Sequence, residues 1–262
     1  MSETVAPSPA PALSHGLAIL ELLCREPALT FNQLAQALGL NQSSLNRYLK
    51  VLLRAGYLHK DARLHYTLGV KAGMLHRGDR LWQPLLDHAR PGMQALSARF
   101  GVTVLFVSLS LEQVIVLDKV LHPDNIAMQE PGASLPANLA APWGILLMAD
   151  LARTSGIAAA EKYLREHIPA HLPLNLSQVR DDIDLYRRTG LADDRGRLLG
   201  NMRRLAAPIL NPDGDVLAAI GAGSFPDLLE DEKAMSLGLE MRRLADSLSG
   251  RMSGQATGRP GS

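Results

Sequence analysis

Residues 30 to 68 read TFNQLAQALGLNQSSLNRYLKVLLRAGYLHKDARLHYTL, and the spacing inside this stretch decides how the chain is organised. Thr30 and Gln33 stand three apart before an apolar-periodic run, the pattern of a capping box. Phe31, Leu34, Ala35 and Leu38 follow at i, i+3, i+4, i+7, one stripe of a short helix. Gly39 accepts the left-handed conformation that ends a helix, and Asn41 is a good cap for the next one. In that second helix Leu45, Tyr48, Leu49, Leu52 and Leu53 share the inward face. Ser43, Asn46, Arg47, Lys50 and Arg54 share the opposite face, behind Gln42 and Ser44 of the first turn. No acidic residue interrupts it. Gly56 closes the helix, and Tyr57-Leu58 and Tyr66-Thr67-Leu68 read as strands around His59-Lys60-Asp61-Ala62-Arg63, a hairpin with a basic tip.

A helix that presents hydroxyls and amides at its start, then Arg and Lys, suits the DNA major groove. Amide and guanidinium groups read base edges two bonds at a time, and Lys or Arg neutralises phosphates. The stretch therefore predicts a winged helix-turn-helix bound to double-stranded DNA. Gln42, Ser43, Ser44, Asn46 and Arg47 are its candidates for the groove; Lys50, Lys60 and Arg63 are candidates for the backbone. The plainer alternative is a helical hairpin whose polar face is only solvated.

Charge distribution favours DNA. The net charge is only +1, but residues 13–80 hold nine Lys and Arg against four Asp and Glu, and residues 81–262 hold eighteen against twenty-one. A basic front on a mildly acidic remainder is the footprint of a DNA-binding head with another task behind it. The single cysteine, Cys24, excludes an internal disulfide, fits a reducing compartment and is expected to be a buried small hydrophobe. No apolar run approaches the length of a membrane span, and MSETVAPSPAPAL lacks the regions of a signal peptide, so the expectation is a cytoplasmic protein.

In chain order, residues 1–12 read as a disordered leader, 13–70 as the DNA-binding head, 71–100 as a helical linker, 101–249 as a second domain and 250–262 as a disordered tail. Ser14 is expected to cap a first helix whose Leu17, Leu20 and Cys24 pack on the other two. Pro84 and Pro91 are expected to divide the linker into segments. In the second domain VTVLFVSLS and QVIVLDKVL form a hairpin about Leu111-Glu112, a strand runs to Glu130, and a Pro-led helix spans about Ala141 to Leu151. Helices at 157–167 and after Ser177, paired strands in GLADDRGRLLG and NMRRLAAPIL, a strand VLAAIGAGS and a helix Glu230–Ser249 complete it. The fold class is α+β, an antiparallel sheet of five or six strands flanked by helices.

On LNQSSLNRYLKVLLRAGYL followed by YTLG, on LPANLAAPWGILLMADL, on RRTGLADDRGRLLG and on RRLAAPILNPDGDVLAAIGAGS, the chain resembles the IclR family of bacterial transcription regulators over nearly its whole length. The resemblance implies a winged helix-turn-helix joined to a GAF/PAS-like effector-binding domain, assembled as a homodimer or homotetramer. It implies an effector cup in which Ala141 and Pro142 are the small residues at the helix start, Asp194 the acidic residue, and Gly221 and Gly223 the strand positions that hold serines in members binding small oxo-acids. Arg203 or Arg204 stands near a frequent cysteine position. Phe106, Asn138 and Trp143 join the candidate cup, Trp143 as either its aromatic wall or part of the core. Arg204 is the candidate anchor for a carboxylate or polar head. The chain departs from the family at Arg195-Gly196, where two glutamates are usual, and at Gly144-Ile145-Leu146, where Gly-Lys-Ala is common. Glycines in place of serines remove donors and add room, so a larger, aromatic or partly apolar effector is expected over a glyoxylate-like one.

Two rivals stand beside this reading. An enzyme would need Asp193-Asp194 with His167 and His171 as metal ligands, a spacing that matches no metal motif. GAGS lacks the rest of a dinucleotide loop, and no Gly-x-Ser-x-Gly, paired Cys or Walker sequence is present, so no catalytic role, metal or cofactor is expected. The other rival is a winged-helix protein whose rear domain only oligomerises.

Overall fold

The computed structural model describes residues 9–76, 81–125, 128–136, 141–167, 175–197 and 200–256. They fall into two compact units, divided between Trp82 and Gln83. The first unit opens with α1 (Pro11–Arg25) and β1 (Leu29–Thr30), then α2 (Phe31–Leu38), α3 (Gln42–Ala55), β2 (Leu58–Lys60), β3 (His65–Leu68) and α4 (Val70–His76). Thr30 caps α2 as the spacing predicts: its Oγ1 accepts from Gln33 N, and its own N–H donates to Gln33 Oε1 at 2.8 Å. Gly39, at φ 62, makes the left-handed turn, and Asn41 Oδ1 accepts from Ser44 N at 2.8 Å to start α3. Ile19, Leu23, Leu34, Leu45, Leu49, Leu58 and Tyr66 form the core of this unit. Burying each Leu contributes about 1.5–3 kcal/mol.

The first helix differs from expectation. It begins at Pro11 behind Ala10, with no side-chain cap, and it buries Ile19 and Leu23. Leu17 is half exposed and Cys24 is exposed. The run GLAILELLC is apolar nearly all round, so periodicity alone does not choose its face.

The next helix is α5 (Trp82–Phe100), so the stretch expected as a linker does hold two helical segments, α4 and α5, but the prolines do not divide them. Pro84 falls in the first turn of α5, where an N–H has no intrahelical partner to lose, and Pro91 is carried inside the helix. The helix is no loose linker: Leu85, Ala89, Met93, Leu96 and Phe100 are buried in the second unit. Next come β4 (Thr103–Leu109), β5 (Gln113–Val120), β6 (Ser134–Pro136), α6 (Pro142–Ser155), α7 (Ile157–His167), α8 (Leu176–Thr189), β7 (Ala192–Asp193), β8 (Arg203–Leu210), β9 (Val216–Ser224) and α9 (Asp231–Ala256). Among the described residues the expected strand ending at Glu130 is not seen, since 128–130 are not in a strand; the edge strand is β6. Asn175, not Ser177, caps α8 by accepting from Gln178 N at 3.1 Å. The last helix continues through residues 250–256, which were expected to be tail.

The six strands pair antiparallel in the order β6-β5-β4-β9-β8-β7. On one face Leu105, Val107, Val114, Val116, Ala206 and Ala219 pack with α6, which is buried nearly all round between the sheet and α7–α8. On the other lies α9, whose Leu237, Met241, Ala245 and Leu248 are buried and whose Ser249 Oγ accepts from Leu210 N at 2.9 Å. Gly92 of α5 lies against Leu244 of α9.

Candidate DNA-reading surface and effector cup

On α3 the two faces separate as the sequence implies. Leu45 and Leu49 are buried, while Gln42, Ser43, Asn46, Arg47, Lys50 and Arg54 are exposed and Ser44 is half-buried next to its cap. Among the described residues none of Arg47, Lys50, Arg54, Lys60 or Arg63 makes a salt bridge. Arg47 lies over the Tyr48 ring at 5.4 Å, and Lys60 over Tyr66 at 4.9 Å. These side chains are held by aromatic faces rather than neutralised by acids, which leaves their charge available to phosphate.

The wing turn is built by Asp61. Its Oδ1 accepts from Arg63 N at 2.9 Å and His65 N at 2.8 Å, and its carbonyl accepts from Leu64 N at 3.1 Å. The His65 backbone bond, foremost among its causes, holds the Asp61 carboxyl below its ordinary value. Leu64 then takes φ 66, the bulge position that hairpins of this length usually give to glycine. For a leucine that conformation costs roughly 1–2 kcal/mol. Lys60, Arg63 and Leu64 all stand exposed at the tip.

In the rear unit, alternation along β7 and β8 sorts two neighbouring pairs to opposite sides of the sheet. Arg204 and Asp194 lie toward α6: Arg204 Nε donates to Asp194 Oδ2 at 2.6 Å, while Arg204 N and Gly196 N donate to Asp194 Oδ1 at 2.9 and 3.0 Å. The carboxylate is 1% exposed and the arginine 6%. Arg203 and Asp193 lie on the α9 side, where Arg203 also donates to Leu229 O at 3.0 Å and Asp231 Oδ1 at 2.8 Å. The bond to Asp193 first, and then that to Asp231, raise the Arg203 pKa above its ordinary value. Asp193 and Asp194 therefore cannot hold one metal ion, because they project from opposite faces. Among the described residues no group of three or more His, Cys, Asp or Glu is placed to bind a metal.

Of the expected cup residues, the structure brings together Ala141, Pro142, Trp143, Asp194, Arg204, Gly221 and Gly223. Ala141 and Pro142 form the uncapped start of α6. The Trp143 ring lies 5.6 Å from the Arg204 guanidinium, and a Cβ on Gly221 would meet its Cζ3 at 3.5 Å. A Cβ on Gly223 would meet Arg204 Cγ and Met128 at 3.4 Å. Both are ordinary van der Waals distances, so each glycine leaves about a methyl's room, walled by the indole, the arginine and Met128, which sequence reasoning missed. Trp143 is part of the core, buried in the rear unit's apolar cluster with its ring facing Arg204. Arg204 has an internal counter-ion, so it is no bare anchor for a carboxylate. Its Nη2 is nevertheless buried without a hydrogen-bond partner among the described residues. Phe106 does not belong here. Leu105 and Val107 point toward α6, so Phe106 between them is buried on the α9 side. Asn138 lies outside the described residues, as does His171.

A winged helix-turn-helix with an acid-free recognition face, followed by a separate sheet domain that buries an Arg204–Asp194 pair against Trp143, is the architecture of a DNA-binding regulator with a second, sensing domain. Comparison with known proteins agrees. The IclR helix-turn-helix domain matches residues 12–62 and the bacterial transcriptional regulator IclR C-terminal domain matches residues 82–250, so the chain belongs to the IclR family of transcriptional regulators. It is 26% identical over 257 residues to the HTH-type transcriptional repressor AllR of Escherichia coli K12, covering 95% of this chain and 92% of that protein. Its fold is that of an IclR regulator from Alicyclobacillus acidocaldarius (TM-score 0.69, 21% identity, 92% and 98% of the two chains). It also matches an IclR homolog from Microbacterium hydrocarbonoxydans solved with 4-hydroxybenzoate (TM-score 0.71, 19% identity, 93% and 99%).

Proposed function

We propose that this IclR-type regulator is a cytoplasmic repressor that binds a pseudo-palindromic operator as a homodimer or homotetramer and is controlled by an aromatic or partly apolar effector. Asn46 and Arg47 read base edges, with Gln42, Ser43 and Ser44 at the groove wall. Lys50, Lys60 and Arg63 hold the phosphates. The reading rests above all on the exposed basic face of α3, whose cations make no salt bridge among the described residues. It includes no catalytic step. Among the described residues no helix is long and apolar enough to cross a membrane.

The effector reading is supported by the orphan donor in the cup. A buried guanidinium nitrogen without an acceptor costs about 1–3 kcal/mol, which a ligand oxygen at Arg204 Nη2 would offset. The uncapped N–H groups at the start of α6 offer further donors. Trp143 gives such a ligand a flat apolar face. The domain used only for oligomerisation is the other reading, and a melting-temperature screen separates them, because a compound bound only by the native state raises the transition.

The DNA reading is tested by selecting sites from random duplexes with the full-length protein. Arg47→Ala is expected to lose about 1–3 kcal/mol at the selected site and to relax preference at one base pair, while Lys50→Ala weakens all duplexes alike. An equal loss for Arg47→Ala on selected and random DNA would make it a phosphate contact only.

A further inference from the structure

Leu64 is exposed over 62% of its surface and holds a left-handed backbone at the wing tip. In the free head it has two disadvantages, strain and apolar exposure, and a glycine there would have neither. Strain of this kind persists where a bound state uses the side chain. Around it the tip is cationic: Arg63 precedes it, Lys60 stands on the adjoining strand, and the one acid, Asp61, is tied to the backbone of the turn. A cationic tip with one protruding aliphatic side chain fits a polyanion that has an apolar interior. Duplex DNA is such a partner: its minor groove attracts Arg and Lys, and its stacked base steps admit Leu as a wedge.

We propose that the wing tip enters the minor groove and that Leu64 wedges into a base step there, so that the protein bends its operator as well as reading it. This rests on the DNA-binding reading of the head. Arg63 and Lys60 follow the groove walls on either side. The rigid Asp61 turn delivers the leucine with its direction already set, so little order is lost on insertion.

The test uses full-length protein and the duplex it selects from random sequence. Bend is measured by energy transfer between dyes at the duplex ends, and unstacking by 2-aminopurine placed at successive steps. Wild type is expected to bend the duplex by roughly 20–90° and to brighten 2-aminopurine at one step per half-site. Leu64→Gly relieves the left-handed strain, so its melting temperature should equal or exceed that of wild type, while the bend disappears and affinity falls about tenfold. Leu64→Met, still apolar, should keep most of the bend. If Leu64→Gly binds and bends as wild type does, or wild type binds its site straight, the wedge is overturned and DNA binding stands. If wild type selects no sequence at all, the DNA reading falls and takes the wedge with it.

Discussion

Arg204 and Asp194 cannot be considered singly. Removing one member of a buried pair strands the other, so Arg204→Ala is expected to cost about 3–5 kcal/mol in urea unfolding. Replacing both by apolar residues of similar volume should cost less than that single change, since no charge is then left in the interior. The pair also sets ligand preference. Because Asp194 already balances Arg204, a neutral acceptor meets the orphan Nη2 without adding net charge to a buried site. Benzamide should therefore raise the melting temperature of wild type more than benzoate does. Asp194→Asn removes the counter-charge, and the order should reverse. If benzoate wins on both proteins, the internal ion pair does not select the ligand.

At the level of elements, the wing offers a separate test. Asp61→Asn keeps an oxygen acceptor for the N–H groups of Arg63 and His65 but deletes the one negative charge of the tip. Affinity for random duplex DNA should rise a few-fold and depend more steeply on salt, with the melting temperature nearly unchanged. In wild type the lowered Asp61 pKa means that its contribution to the turn is complete at neutral pH. It is lost only as acid protonates the carboxyl, below the ordinary carboxylate range. The amide signals of Arg63 and His65 should report that midpoint. Elements were legible from sequence where local chemistry is self-sufficient: Thr30, Gly39, Asn41 and Gly56 mark both helices of the head by their own geometry. They were less legible where a long-range contact decides. The face of α1 depends on what α2 and α3 present, and the unbroken α5 depends on packing that outweighs a missing hydrogen bond at Pro91. The cup suffered in the same way, since period-2 alternation sends Phe106 away from Trp143 and only the strand register reveals which way.

On the scale of the whole molecule, one head presents too small a basic surface for tight specific binding, so two are expected on the operator. Footprinting should show two protected half-sites whose centres lie about 34 Å apart or a multiple of it, and sedimentation should give a dimer or tetramer mass. A single short, asymmetric footprint from a protein that sediments as a monomer would count against the assembly. Exposed Leu13 and Leu17 on α1, and Val70, Met74 and Leu75 on α4, leave apolar surface on the head of the kind such assemblies cover.

The alternation of Asp193 and Asp194 against Arg203 and Arg204 has a consequence for how this chain tolerates change. The two pairs act as a parity check on the β7–β8 edge. A slip of one residue would send each arginine to the wrong side of the sheet, and a slip of two would leave both acids facing uncharged neighbours. An insertion after Arg197 is therefore expected to leave the pairing of β7 with β8 where it is. Length variation there should be silent to the sheet, while the strand that carries Arg204 keeps its register.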